Sequence, residues 1–402
     1  MKPRWKPAWT GIILLVVILR IGFAFVGAQM VAEYEPQTLA PGDKYDITAA
    51  LLDQDDFSRQ FINPWFRWDT VWYLNIVAFG YQHGDGTIAF APLYPWLIHI
   101  FSVLLGGNFL LTALLLSTVF MMLGLILLYE LFDQSLEIVF ALLLFPTSFF
   151  LLAAYTESLF LMLVLLTFFL IHREKWWGAG LVAGLSVLAR FHGVVLSAVL
   201  LWSLIVAALD LKNVSVGMQL KAVYGEFRKR AGLRSFDLKD IKLVWGIPLI
   251  PFFVLGLYYA WLQQNGFSTP SAELSRIWGI STVLPWQGFS LFVQRLLTTP
   301  RIFVDWIDLI SFLAMFAFAI VGLKYLAPAH SLYIWGSFAV IFTRGTPPHL
   351  LDSFSRYLLV LFPLFSLVTL FRNRPLKIAL SGLLFILEIF LLMGFFDWRW
   401  IA

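Results

Sequence analysis

Residues 10–30 read TGIILLVVILRIGFAFVGAQM, and this stretch decides the class of fold. A helix rises about 1.5 Å per residue, so a run of this length spans the roughly 30 Å of hydrocarbon in a bilayer. It is too long for the apolar part of a secretory signal and has no clear small-residue cleavage site. The preceding MKPRWKPAW supplies a basic flank, so the run is expected to be a first span with its N-terminus in the cytoplasm. The rest of the chain agrees. Of 402 residues 60% are hydrophobic and only 13% charged, with mean hydropathy +0.83, too little charge to cover a soluble surface. There are no cysteines, hence no disulfide, thiolate nucleophile or cysteine metal site.

Working outward, apolar runs recur at about 9–31, 92–105, 108–129, 137–153, 156–172, 178–209, 244–263, 302–323, 330–343, 354–370 and 378–395. Backbone in lipid must bond to itself, so these predict an all-α polytopic membrane protein of about eleven helices, a single integral-membrane domain over 1–402. The run 178–209 is too long for one straight span. Spans 2–6 are expected within 92–209 and spans 7–11 within 244–395.

Charge placement sets the expected sides. Residues 32–91 carry nine of the 24 acidic residues (Glu33, Glu35, Asp43, Asp46, Asp53, Asp55, Asp56, Asp69, Asp85) against Lys44, Arg59 and Arg67. Residues 210–243 reverse this with eight Lys/Arg, including Arg228, Lys229 and Arg230. The latter loop is expected in the cytoplasm and the former outside, together with loops at about 264–300 and 344–353. Counting every run as a full crossing puts His172–Lys175 outside and Tyr155–Glu157 inside. If 92–129 crosses once and 178–209 twice, those sides swap and the later loops keep theirs. The basic loop lacks aromatic interleaving, so no nucleic-acid partner is expected, and its plainest reading is a headgroup-facing linker. No Walker, Gly-rich phosphate or HExxH pattern occurs.

The 60-residue acidic loop is too long for a simple connection. Within FRWDTVWYLNIVAFGYQ (66–82), Asp69 stands between Arg67–Trp68 and an aromatic run resembling an interfacial helix. Arg67 would hold the carboxylate ionised, and the tryptophans would anchor it at headgroup depth. A salt-bridged loop carboxylate is the plainer alternative. FAPLYPWL (90–97) breaks the entry into the next run with two prolines. In FPTSFFLLAAYTESLFL (145–161), Glu157 is either a first-turn helix residue or a functional acid, because charge in apolar surroundings is expensive. Arg190 and His192 of VLARFHGVVL (187–196) lie mid-run and need an anionic partner. The stretch 343–365 gathers Arg344, His349, Asp352, Ser355, Arg356 and Tyr357. Arg356, at the outer end of a span, runs against the cytoplasmic bias of basic residues. Asp305 and Asp308, near the outer start of another span, are read as structural partners of these arginines. An arginine-rich outer pocket beside lipid suggests an anionic, lipid-linked substrate, and a hydroxyl acceptor would need a carboxylate base.

Taken in order, RWDTVWYLNIVAFGY, FAPLYP, FPTSFFLLAAYTESLF, LARFHG and SFSRYLLVLFPLF resemble the PIG-V-type mannosyltransferases. These multispanning enzymes use dolichyl- or polyprenyl-phosphate mannose. The resemblance runs over about 9–395 and is weakest in 210–243 and 264–300. It implies a GT-C architecture, with a large first external loop bearing membrane-parallel helices and a catalytic aspartate, to which Asp69 corresponds. Tyr155–Glu157 match the YTES element, Arg190 the arginine after the sixth span, and Arg356–Tyr357 the RY pair. With their neighbours, the implied substrate-binding set is Arg67, Trp68, Tyr73, Tyr94, Tyr155, Glu157, Arg190, His192, His349, Arg356 and Tyr357, with no metal and no cofactor. Thr70, Trp72 and His192 depart from the family pattern. The implied partners are a polyprenyl-phosphate sugar donor, a glycolipid or glycan acceptor and membrane lipids, and the expected location is a bacterial plasma membrane with an external active site. The implied chemistry is inverting transfer with Asp69 as base. A flippase for lipid-linked sugars would use a similar cationic cavity, but repeated halves with matching broken helices are not visible here. A transferase of the same scaffold for another polyprenyl-phosphate sugar is the other alternative.

Overall fold

The computed structural model describes residues 6–32, 51–53, 55–211, 219, 243–298, 302–345, 353–399 and 401. His349 and Asp352 lie outside the described residues, as do Glu33, Glu35, Asp43, Asp46 and the basic triplet at 228–230. Among the described residues the structure is helical, and its one β feature is an isolated antiparallel bridge between Thr282 and Arg344.

Six helical stretches are long and apolar enough to cross a membrane: Pro7–Met30, Phe109–Leu131, Phe191–Ala208, Val244–Gln264, Phe303–Tyr325 and Arg374–Phe396. The first helix, α1 (Pro7–Ala32), shows why they pack as they do. Ile12, Val16 and Phe23 fall on one face and are buried, while Leu14, Ile18, Ile21 and Phe25 on the other remain exposed. In water that face would be a liability; in lipid it is the surface expected of a peripheral span.

The N-terminal half continues with α2 (Asp69–Phe79), α3 (Leu93–Ser102), α4 (Phe109–Leu131), α5 (Leu136–Leu143), α6 (Glu157–His172), α7 (Trp176–Ala189) and α8 (Leu196–Ala208). The run 137–153 is broken: Pro146 cannot continue α5, and the chain turns into a 3-10 segment at Ser148–Leu151. The run 178–209 is likewise divided. Arg190 is extended (φ −151°, ψ 128°), α7 ends before it, and a 3-10 turn at Phe191–Val195 leads into α8. Gly193 permits this reversal, because a Cβ there would sit 2.4 Å from Ser186 Oγ and 2.8 Å from the α7 backbone.

The C-terminal half adds α9 (Ile250–Gln264), α10 (Pro270–Trp278), α11 (Pro285–Thr298), α12 (Phe303–Tyr325), α13 (Pro328–Ile341), α14 (Phe354–Leu358) and α15 (Arg374–Phe396). Side-chain contacts identify the two ends of the bundle. At one end Lys6 pairs with Glu130 at 2.6 Å, Lys377 with Glu137, and Phe132 stacks on His330 at 5.7 Å. At the other, Arg67 donates to the Phe396 carbonyl at 2.9 Å, and Asp308 accepts from Ser355 N at 2.8 Å. Segment 93–105 keeps both its ends near the latter: Tyr94 packs edge-on to Tyr73 at 5.3 Å, and Asn108 bonds to Asp53.

Candidate active site

Asp69 is the first residue of α2, where helix dipole and free N–H groups favour a carboxylate. The chain reaches it through Trp68, which adopts φ 48°, ψ −116°, a region bulky residues enter only under constraint. The constraint comes from the far end of the chain. Arg67 donates Nε to the Phe396 carbonyl and lies 4.7 Å over the Trp398 ring, and Trp398 meets Trp68 edge-on at 5.7 Å. Beneath, the fully buried Tyr155 accepts from Asp69 N at 3.2 Å and donates to the Arg67 carbonyl at 3.4 Å. Tyr155 therefore shares the end of the bundle that carries Asp69.

The cation on Asp69 is Arg356, not its sequence neighbour Arg67. Arg356 Nη1 lies 2.8 Å from Asp69 Oδ2, and Arg356 Nε lies 2.9 Å from Glu157 Oε1. The same Glu157 oxygen lies 3.0 Å from Arg190 Nη2. Four charges thus alternate in a row, Asp69–Arg356–Glu157–Arg190, with side-chain exposures of 21%, 9%, 1% and 11%. Arg356 is placed by α14, whose first turn is held by Asp308 at Ser355 N and by Thr147 Oγ1 donating to the Ser355 carbonyl at 3.0 Å. The guanidiniums of Arg190 and Arg356 lie 5.2 and 5.6 Å from the centre of the Tyr357 ring, and Arg344 Nη1 donates to Tyr357 Oη at 2.7 Å.

These groups border a cavity of about 550 Å³. Of the residues singled out from sequence, Trp68, Asp69, Trp72, Tyr73, Arg190, His192, Arg344, Arg356 and Tyr357 line it. Arg67, Tyr94, Tyr155 and Glu157 do not. They stand behind the lining, because sequence adjacency says nothing about which way a side chain leaves the backbone. Tyr94 is fully buried, donating to the Ala113 carbonyl at 2.9 Å beside Ser117 Oγ at 2.7 Å. Tyr73 shares a hydrogen bond with Thr156 Oγ1 at 3.3 Å; burial raises its phenol pKa, and the nearby Asp69 and Glu157 carboxylates raise it further. His192 packs on Phe160 at 4.3 Å.

One wall escaped the sequence reading. Leu274, Trp278 and Ile280, from the loop at 264–300, line the cavity. Trp278 packs against Trp72 at 5.1 Å, and Trp72 stacks on Phe90 at 5.4 Å. Gly86, at φ +95°, makes room for them, since a Cβ there would lie 2.9 Å from the Trp72 ring. Two backbone bonds clip this wall to the Arg344 segment: Val283 N to the Thr343 carbonyl and Gly345 N to the Ser281 carbonyl, each 2.8 Å. An amphipathic, tryptophan-ended helix was the available signal, but it reads equally as a surface helix lying on the membrane. Among the described residues no three His, Asp or Glu side chains gather as a metal site.

The chain is thus a helical membrane protein with a buried acid–arginine row at the edge of a cavity. Comparison with known proteins gives the family. The model of the mannosyltransferase (PIG-V) family matches residues 12–224, just over half of the chain, and the chain belongs to that family of glycosyltransferases. No curated protein matches it. Among solved structures, two of an oligosaccharyltransferase from Archaeoglobus fulgidus are similar. One, in complex with Zn and sulfate, shows 13% identity and a TM-score of 0.39, covering 86% of this chain and 52% of that one. The other, AglB with an inhibitory peptide and a dolichol-phosphate, shows 11% identity and a TM-score of 0.41, covering 89% and 55%. The chain spans about half the length of these structures.

Proposed function

We propose that this protein transfers mannose from a polyprenyl-phosphate donor to a hydroxyl of a lipid-linked or glycan acceptor, on the outer face of the membrane, with inversion at the anomeric carbon. The observation that carries the reading is the contact between Asp69 and Arg356: one cavity holds a carboxylate suited to take a proton and a guanidinium suited to take a phosphate. In the step, the acceptor oxygen attacks C1 of the mannose, its proton passes to Asp69, and the C1–O bond breaks. The electron pair leaves with the phosphate, whose charge Arg356 and Arg190 stabilise, and a β-linked donor yields an α-linked product. Arg190 supports this, since it lines the same cavity and stands on the Glu157 oxygen that Arg356 also contacts.

The sidedness belongs to the same proposal. Segment 93–105 lies along the outer face and 178–209 crosses twice, so the number of crossings stays eleven and Tyr155–Glu157 shares the outer side with Asp69. The basic residues Arg173 and Lys175 then fall in the cytoplasm, as positive charge prefers. The test is transfer by purified protein in vesicles, with polyprenyl-phosphate sugars supplied singly and native lipid extract as acceptor. Transfer from the mannosyl donor alone, giving an α-linked product, is the expected result. Turnover from another sugar donor would replace mannose in this reading. Lipid-linked sugar crossing the bilayer without transfer would replace the reading by a flippase.

A further inference from the structure

Glu157 belongs to the YTES element, yet it does not line the cavity and is only 1% exposed. No substrate reaches it across the lining described above. What it touches is decisive: Arg190 Nη2 at 3.0 Å and Arg356 Nε at 2.9 Å, both on the single oxygen Oε1. Two nitrogens tied to one point stay within about 6 Å of each other, so two arginines far apart in sequence are locked at a fixed spacing. The carboxylate is itself fixed, because Glu157 opens α6 directly after Thr156, whose hydroxyl shares a hydrogen bond with Tyr73 on α2.

The geometry points to Glu157 as a positioning residue that holds Arg190 and Arg356 as one phosphate-binding unit and draws Arg356 away from exclusive pairing with Asp69. This inference rests on the transfer reading above. Without the Glu157 charge, Asp69 is the one remaining carboxylate on Arg356 among the described residues. Arg356 then closes onto Asp69 and ties up the base, which weakens its hold on phosphate, while Arg190, released from Glu157, meets a phosphate more strongly and offsets that loss. Glu157 therefore acts on turnover more than on phosphate affinity.

The experiment uses the full chain in detergent or vesicles, with Glu157→Gln, Glu157→Asp, Arg190→Gln and the Glu157→Gln/Arg190→Gln double variant. Two quantities are read: kcat and acceptor KM with polyprenyl-phosphate mannose, and the Kd for polyprenyl phosphate alone. Glu157→Gln is expected to lower kcat about 100-fold, as loss of one organised charge-stabilising group does elsewhere, with the Kd no weaker than wild type. Glu157→Asp, which keeps the charge, is expected to recover about tenfold of that loss. The double variant is expected to lose no more than the worse single one, the non-additivity of groups acting as a unit. A merely structural role would lower kcat and phosphate binding together with the folded fraction. An unchanged kcat in Glu157→Gln, or a raised acceptor KM at constant kcat, overturns the inference. If Glu157→Gln does not fold, Glu157→Asp decides alone: a lowered kcat at retained Kd supports positioning, and an unchanged kcat overturns it. A wild type that transfers no mannose is a different failure, that of the transfer reading, and this inference falls with it.

Discussion

Asp69 and Arg356 form an ion pair of 2.8 Å at the cavity wall, Oδ2 to Nη1, although they lie on α2 and α14, far apart in the sequence. The group proposed as base and the group proposed to hold phosphate are thus partners before any substrate arrives. A donor phosphate entering the cavity competes with Asp69 for the same N–H, and in winning it frees the carboxylate to accept a proton.

That competition is measurable. Asp69→Asn is expected to bind polyprenyl phosphate about tenfold more tightly than wild type, since Arg356 no longer has to leave a charged partner. In an Arg356→Gln background the same substitution is expected to change the Kd little, because the contested donor is gone. A tightening of equal size in both backgrounds would mean that Asp69 acts only as a general repulsive charge.

Arg356→Lys tests the geometry of the cation. An ammonium is a point donor, whereas the guanidinium reaches Asp69 and Glu157 through two different nitrogens. A loss of kcat of about 100- to 1,000-fold is expected, with the protein still folded. Wild-type turnover in this variant would remove Arg356 from the proposed mechanism.

Trp278 offers a flat wall beside Trp72 and Phe90 at the cavity. Trp278→Ala is expected to raise the acceptor KM about tenfold, the loss of one aromatic surface that a sugar ring can stack on, with little change in kcat. A change in the donor KM instead would place the donor sugar at this wall.

Gly193→Ala would put a methyl 2.4 Å from Ser186 Oγ and 2.8 Å from the α7 backbone. The overpacking is expected to cost about 1–3 kcal/mol, read as a lowered melting temperature in detergent. Turnover at permissive temperature should fall as well, because Arg190 lies in the same turn.

The Tyr73 phenol gives the pH dependence a sign. Its pKa is raised by burial, and by Asp69 and Glu157, above the ordinary value of 10.0 that it takes when unfolded. The folded state therefore holds its proton more tightly, and the stabilisation is full below about pH 10 and declines above it. Melting temperatures from pH 7 to 11 should stay level and then fall, with a shallower fall in Tyr73→Phe. A decline of the same steepness in that variant would mean that Tyr73 contributes nothing to it.

Much of the candidate site was legible in the sequence: Glu157 and Arg190 stood out because charge in apolar surroundings is expensive, Arg356 because it runs against the cytoplasmic bias of basic residues, and Asp69 because it stands among aromatics in a long acidic loop. Their pairing was not legible. Arg67 looked like the partner of Asp69 only through adjacency, while the true partner sits on α14 and depends on the turn held by Asp308. The number of apolar runs pointed to a polytopic helical protein, but apolar length alone could not tell that Tyr94, at the start of 93–105, packs on Tyr73 while Asn108, just past its end, bonds to Asp53, or that α7 stops at Arg190. The wall at Trp278 was missed because amphipathic periodicity identifies a surface helix without saying what it faces.

The most direct test of the central claim is transfer by the Asp69→Asn protein in vesicles, with polyprenyl-phosphate mannose and native lipid acceptor, beside wild type. The account predicts a loss of at least about 100-fold in kcat, the smaller end of what a general base contributes, with polyprenyl phosphate still bound. Turnover at the wild-type rate would contradict it and leave Asp69 as nothing more than the ion-pair partner of Arg356.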